Sequence, residues 1–155
     1  MSLEKSLLAA QGYIELDMLT EALGELDAIQ GTARQCEAVL QMRLFIVMRM
    51  RNWKEAVTLC ERMRETDPEG TTGYIHGAFC LHELGETAAA RELLLSGPSS
   101  LIQEPTYHYN MACYCAVLGD PEAAVQFLET SFEMDKKFRA IARLDPDLAS
   151  IRELL

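Results

Sequence analysis

Leu84-Gly85-Glu86-Thr87-Ala88-Ala89-Ala90-Arg91 and Leu118-Gly119-Asp120-Pro121-Glu122-Ala123-Ala124-Val125 decide the fold of this chain. In each stretch a glycine closes one helix, because glycine takes the left-handed cap conformation without a Cβ penalty. An acidic residue then opens the next helix, and Pro121 suits a first helical turn. Ala90 and Ala124 lie 34 residues apart, and the same step upstream reaches Ala56 and then Ala22. Four residues beyond each alanine stand Leu26, Cys60, Leu94 and Leu128, one turn further along the same helix face. A fixed period of this size is the signature of a stacked helical repeat.

Working outward, the slot filled by the glycine breaks reads Met50-Arg51-Asn52-Trp53 in the second unit. Before each break runs another helical pattern, as in Leu40, Leu44, Val47 and in Tyr107, Met111, Tyr114. Each unit is therefore two antiparallel helices, and no stretch alternates as a strand does. The units fall at about 3–36, 37–70, 71–104 and 105–138 within a single domain of residues 1–155. Gly97-Pro98 stops the third unit's second helix near Ser96, since an interior proline costs about 3 kcal/mol. The segment 98–104 becomes an irregular or short helical connection. Asp145 caps a final helix of about 145–155 with Pro146 in its first turn, and Leu148, Ile151 and Leu155 on one face cover the last hairpin.

These residues resemble the tetratricopeptide repeat family, whose 34-residue unit pairs large and small residues in its first helix with alanine and proline positions in its second. Ala10, Tyr13, Ala22 and Leu26 match in the first unit, and Trp53, Ala56 and Pro68 in the second. Tyr74, Ala78, Leu84-Gly85 and Ala90 match in the third, and Ala112, Leu118-Gly119 and Ala124 in the fourth. The usual first-helix glycine is replaced by Ala10, Leu44, Ala78 and Ala112, and the closing proline occurs only as Pro68. The resemblance implies an all-α, right-handed superhelical solenoid of about four hairpins plus a C-terminal capping helix.

Composition narrows the function classes. A net charge of −10 opposes nucleic-acid and anionic-membrane binding, which need clustered cations. No apolar run reaches the length of a membrane span, and the N-terminal residues lack a signal-peptide pattern. Cys36, Cys60, Cys80, Cys113 and Cys115 are odd in number and spread through apolar helical runs, which fits reduced thiols in a cytoplasmic protein. No phosphate loop, nucleophile elbow or zinc-protease motif occurs, so a non-enzyme without cofactor or metal is expected. Cys113 and Cys115, two apart on a helix, point in different directions and cannot both ligate one ion without distortion; of the three histidines His76, His82 and His108, a site using Cys80 or Cys113 with His76 or His108 is the alternative to buried core thiols. The acidic run Glu15, Asp17, Glu21, Glu25 and Asp27 reads as a solvated face rather than a calcium loop. The one basic stretch, Lys136, Lys137, Arg139 and Arg143, reads as helix-end charge complementing the dipole, with docking of an acidic partner as the alternative.

A second stripe carries the functional expectation. Gln41, Phe45 and Met48, then Ile75, Phe79 and His82, then Tyr109, Cys113 and Ala116 are each spaced i, i+4, i+7, and the sets repeat at 34. The family resemblance implies that these first-helix positions line a concave groove bearing Phe45, Met48, Ile75, Phe79 and Tyr109; Phe45, Phe79 and Tyr109 are read as its anchors and Arg49 as fixing a ligand's orientation. The expected function is a protein–protein interaction module taking an apolar peptide or helix, as a scaffold, adaptor or bacterial chaperone-like protein. The alternative is a structural subunit that self-associates as a homodimer through the same groove, or buries the stripe against its own tail. A clamp for acidic C-termini is not expected, because Gln41, Phe45 and His76 occupy its basic and amide slots, leaving Asn110 alone.

Overall fold

The computed structural model describes residues 2–155, and among these no strand occurs. The helices are α1 (Leu3–Glu15), α2 (Leu19–Asp27), α3 (Glu37–Arg49), α4 (Trp53–Thr66), α5 (Thr72–Glu83), α6 (Thr87–Leu95), α7 (Pro105–Val117), α8 (Pro121–Met134) and α9 (Lys137–Leu144). Short 3-10 segments occupy Gly31–Gln35, Ser99–Gln103 and Pro146–Leu154. The chain divides into two compact units, Met1–Leu59 and Cys60–Leu155.

The corner inside each hairpin is the same piece of backbone. Asp17, Arg51, Gly85 and Gly119 all have positive φ, at 58°, 57°, 83° and 82°, and they stand 34 residues apart. Each donates its N–H to the carbonyl three residues back, and the following residue donates to the carbonyl five back: Met18 to Tyr13, Asn52 to Val47, Glu86 to Leu81 and Asp120 to Cys115. This is the paired bonding of a Schellman cap, which satisfies two otherwise orphaned carbonyls. Two of the four corners are thus built without glycine, at a steric cost an L-residue pays in this region.

The alanines of the period do what small residues do where helices meet. Ala22, Ala56, Ala90 and Ala124 are all fully buried. In the first unit Ala10, Ile14, Ala22, Leu26, Ile29, Val39 and Ile46 form one core cluster. In the second unit a larger cluster joins α5 to α9 and the last 3-10 segment, around Ala90, Leu94, Tyr107, Met111 and Leu128. Within that unit α5 also comes very near the second half of α4. A Cβ at Gly77 would lie 3.2 Å from the Cys60 Cβ, so the small position there is Gly77 as well as the expected Ala78.

Helix α6 stops at Leu95 with Ser96 as its cap, and Pro98 precedes the 3-10 turn Ser99–Gln103. The C-terminal cap is in two pieces. Helix α9 comes first, and Asp145, extended at φ −77° and ψ 117°, breaks it, as a residue before proline favours. Asp145 then caps Pro146–Leu154 by accepting from the Asp147 N–H at 3.0 Å. Leu148 and Ile151 are buried as expected, but Leu155 is half exposed, because it lies past the end of the 3-10 segment, where Leu154 also turns outward. Of the basic stretch, Arg143 lies in the last turn of α9, where the dipole favours a cation as expected, but the two lysines are placed differently. Lys136 and Lys137 begin α9, at the end where the dipole disfavours cations, and Lys137 is balanced instead by Asp135 at 3.4 Å.

Candidate protein-binding face

In the first unit the expected positions lie along α3. Leu40, Leu44 and Val47 take one side into the interior, while Gln41 and Phe45 remain in solvent and Met48 is half-buried. Phe45 is 51% exposed, which is unusual for so large an apolar side chain. The Arg49 guanidinium lies 5.8 Å from the Phe45 ring centroid, within cation–π range. The same guanidinium donates to the Asp17 carboxylate at 2.7 Å, so it is held over the ring by a residue of the α1–α2 corner. Gln41 is tied along its own helix to Glu37 at 2.8 Å. The outcome is an aromatic surface with a cation fixed at its edge.

The second unit treats the corresponding positions differently. On α5, Ile75 is buried and Phe79 half-buried. His82 is enclosed by hydrogen bonds on both ring nitrogens, Nδ1 to the Thr87 hydroxyl at 2.9 Å and Nε2 to the Asp147 carboxylate at 2.8 Å. On α7 the face is covered by the chain's own C-terminal segment. Tyr109 is only 6% exposed, stacks on Phe138 with centroids 4.8 Å apart, and donates its hydroxyl to Asp145 Oδ2 at 2.6 Å. The Cys113 thiol faces the same oxygen at 3.6 Å. Ala116 is buried and Asn110 half-buried. On α7, then, Tyr109 and Cys113 do not line an open groove but are buried against the chain's own tail, the alternative expected for the stripe: Phe138, Ala142, Leu148 and Ile151 belong to the same core cluster. The stripe is open on α3, partly closed on α5 and sealed on α7.

Phe138, Asp145 and Asp147 are the residues that sequence reasoning missed as partners of this face. A local signal existed. Helix α7 has no Asp, Glu, Lys or Arg between Pro105 and Val117, and a helix without a charged face is normally covered on more than one side.

The buried acid–thiol–phenol cluster has consequences for protonation. Desolvation, then the Asp145 and Asp147 carboxylates, push the Cys113 thiol well above its ordinary range, and burial with the Asp145 hydrogen bond does the same to Tyr109. Burial and the neighbouring Cys80 push Cys60 up to about 12, and burial with the charge of Glu83 pushes Cys80 to about 11. These thiols are therefore protonated at neutral pH, the reverse of what a nucleophilic cysteine needs. Cys113, Asp145 and Asp147 place ligand atoms within 4.8 Å of one another and are the residues that could hold a cation. Both carboxylates already accept hydrogen bonds there, from Tyr109 and the Asp147 N–H and from His82.

No family model and no curated protein matches the chain. Solved structures do match in fold. MamA MSR-1 superposes with a TM-score of 0.73 at 17% identity, over 89% of this chain and 79% of that one. MamA RS-1, as a double mutant, gives 0.75 at 12% identity, over 87% and 76%. MamA AMB-1 gives 0.69 at 16% identity, over 87% and 79%. At this level of identity the likeness is one of fold: an all-α array of helical hairpins. Among the described residues no helix is long and apolar enough to cross a membrane.

Proposed function

We propose that this chain is a non-catalytic protein-interaction module whose binding face is the exposed side of α3. The observation that carries the reading is Phe45, half out of solvent-free packing and edged by an Arg49 guanidinium that Asp17 already holds in place. Phenylalanine, methionine and arginine are all enriched at protein interfaces relative to the rest of the surface. Pre-positioning Arg49 lowers the ordering cost of binding. The face fits an apolar peptide or helix, with Phe45 and Met48 as the contact surface and Gln41 and Arg49 supplying orientation. Ile75, Phe79 and His82 are the positions of the same register on α5. The covered face of α7 supports the reading by showing what such positions pack well against: an aromatic ring, aliphatic side chains and a carboxylate that accepts from the helix.

The test is capture of partners from a lysate by the full chain and by Phe45→Asp, read by mass spectrometry, with sedimentation velocity on both proteins. The variant is expected to keep its helicity and melting temperature and to lose the captured partner. If wild type is instead a dimer that Phe45→Asp converts to monomer, the face serves self-association. Unchanged capture and unchanged mass would reject the face altogether.

A further inference from the structure

A pocket lies where α9 meets the 3-10 segment Pro146–Leu154. Phe132, Arg139, Ala142, Arg143, Arg152 and Leu155 line it, around a volume of about 200 Å³. Three of its six walls are guanidinium-bearing and none is acidic, in a chain whose net charge is −10. Among the described residues none of the three arginines forms an ion pair. Two are nonetheless held in position. The Arg139 guanidinium lies 5.1 Å from the Phe132 ring centroid, and Arg152 donates from Nη2 to the Asp145 carbonyl at 2.8 Å. Arg143 is exposed in the last turn of α9. The remaining walls are apolar, from the ring of Phe132, the Ala142 methyl and Leu155.

We infer that this pocket binds an acidic peptide segment of a partner protein, taking a carboxylate between the arginines and the neighbouring apolar side chain against Phe132 and Leu155. Guanidinium groups match a carboxylate through paired, charge-assisted hydrogen bonds, and arginines fixed before the ligand arrives lose little freedom on binding. The apolar walls argue for a peptide over a bare anion, which gains nothing from them. A polyanion such as nucleic acid meets the repulsion of the rest of this acidic chain. The inference does not depend on the α3 face.

The experiment is a fluorescence-anisotropy titration of the full chain with a fluorescein-labelled peptide of alternating Asp and Leu, against the same peptide with Asn for Asp. The Asp peptide is expected to bind, with an affinity that falls as salt is raised, and the Asn peptide to fail. Arg143→Glu, at an exposed site, should weaken binding about tenfold or more while leaving the chain folded by far-UV circular dichroism. Arg152→Gln should weaken it to a smaller degree, and Phe45→Asp should leave it unchanged, which separates this site from the α3 reading. Equal binding of both peptides, no binding of either, or an unaltered Arg143→Glu variant would overturn the inference. So would displacement of the peptide by an equal concentration of inorganic phosphate, which marks a simple anion site. Sedimentation showing that the pocket is filled by a second copy of this chain overturns it as well.

Discussion

Leu148→Ala is the perturbation that most directly asks whether the C-terminal segment is part of the core or a detachable cover. Leu148 has no exposed surface and belongs to the core cluster with Ile151, Phe138 and Ala142. The change removes three carbons, worth about 2.4 kcal/mol at about 0.8 kcal/mol per buried methylene. The cavity left behind adds to this, since buried Leu→Ala changes cost about 2–5 kcal/mol in all. About 3 kcal/mol is therefore expected. With a urea slope of about 2 kcal/mol/M the midpoint falls by about 1.5 M. The matched control is Leu144→Ala, four residues upstream on the end of α9 and 85% exposed, which should move the midpoint by less than about 0.25 M. Urea unfolding followed by far-UV circular dichroism reads both. If Leu148→Ala unfolds within 0.25 M of wild type, the segment is not packed on α7, and the explanation given for the burial of Tyr109 and Cys113 fails with it.

Four further outcomes are expected. Tyr109→Phe keeps the stack on Phe138 but removes the hydroxyl from half-buried Asp145, and should cost about 1.5 kcal/mol in a urea melt at neutral pH. Ala56→Leu and Ala124→Leu overpack fully buried sites and should each cost about 1–3 kcal/mol, with midpoints equal to wild type contradicting the placement. Arg51→Gly relieves a left-handed corner at φ 57° and should raise the urea midpoint by the equivalent of about 0.5–1 kcal/mol; a lowered midpoint would show that the side chain matters more than the backbone. Cys80 binds its proton more tightly in the folded chain, so the stability this contributes is full below pH 9.0, the ordinary value, and is lost as pH rises through about 11. Cys80→Ala should flatten that alkaline fall in melting temperature, and an identical pH profile would refute the assignment.

The repeat was legible because its marks are local. A glycine that closes a helix, an acid that opens the next and an alanine at the contact can each be read from a few neighbouring residues, and their 34-residue recurrence reinforces them. The corners at Asp17 and Arg51 were harder to see, since neither residue type advertises a positive φ, and only the hydrogen bonds of the cap reveal them. The candidate face was legible as a set of positions but not as a set of accessibilities. Which of them stay open depends on contacts such as Tyr109 with Phe138 and Asp145, made over 29 and 36 residues of sequence, and on the break at Asp145-Pro146 that turns the last segment back. Spacing puts Phe45 and Cys113 in the same register, yet one is half exposed and the other buried beside a carboxylate.

The four left-handed corners also set a grammar for how this chain can change length. Asp17, Arg51, Gly85 and Gly119 share one handedness and one hydrogen-bonding pattern, so a segment excised or duplicated between any two of them meets a matching backbone at its seam. Such an edit adds or removes 34 residues, or a multiple, and leaves every alanine in phase with its neighbours. An insertion of any other size inside a helix turns the following alanine away from the contact it was chosen for. Whole-repeat edits are thereby the ones this backbone accommodates, and their seams fall at exposed corners.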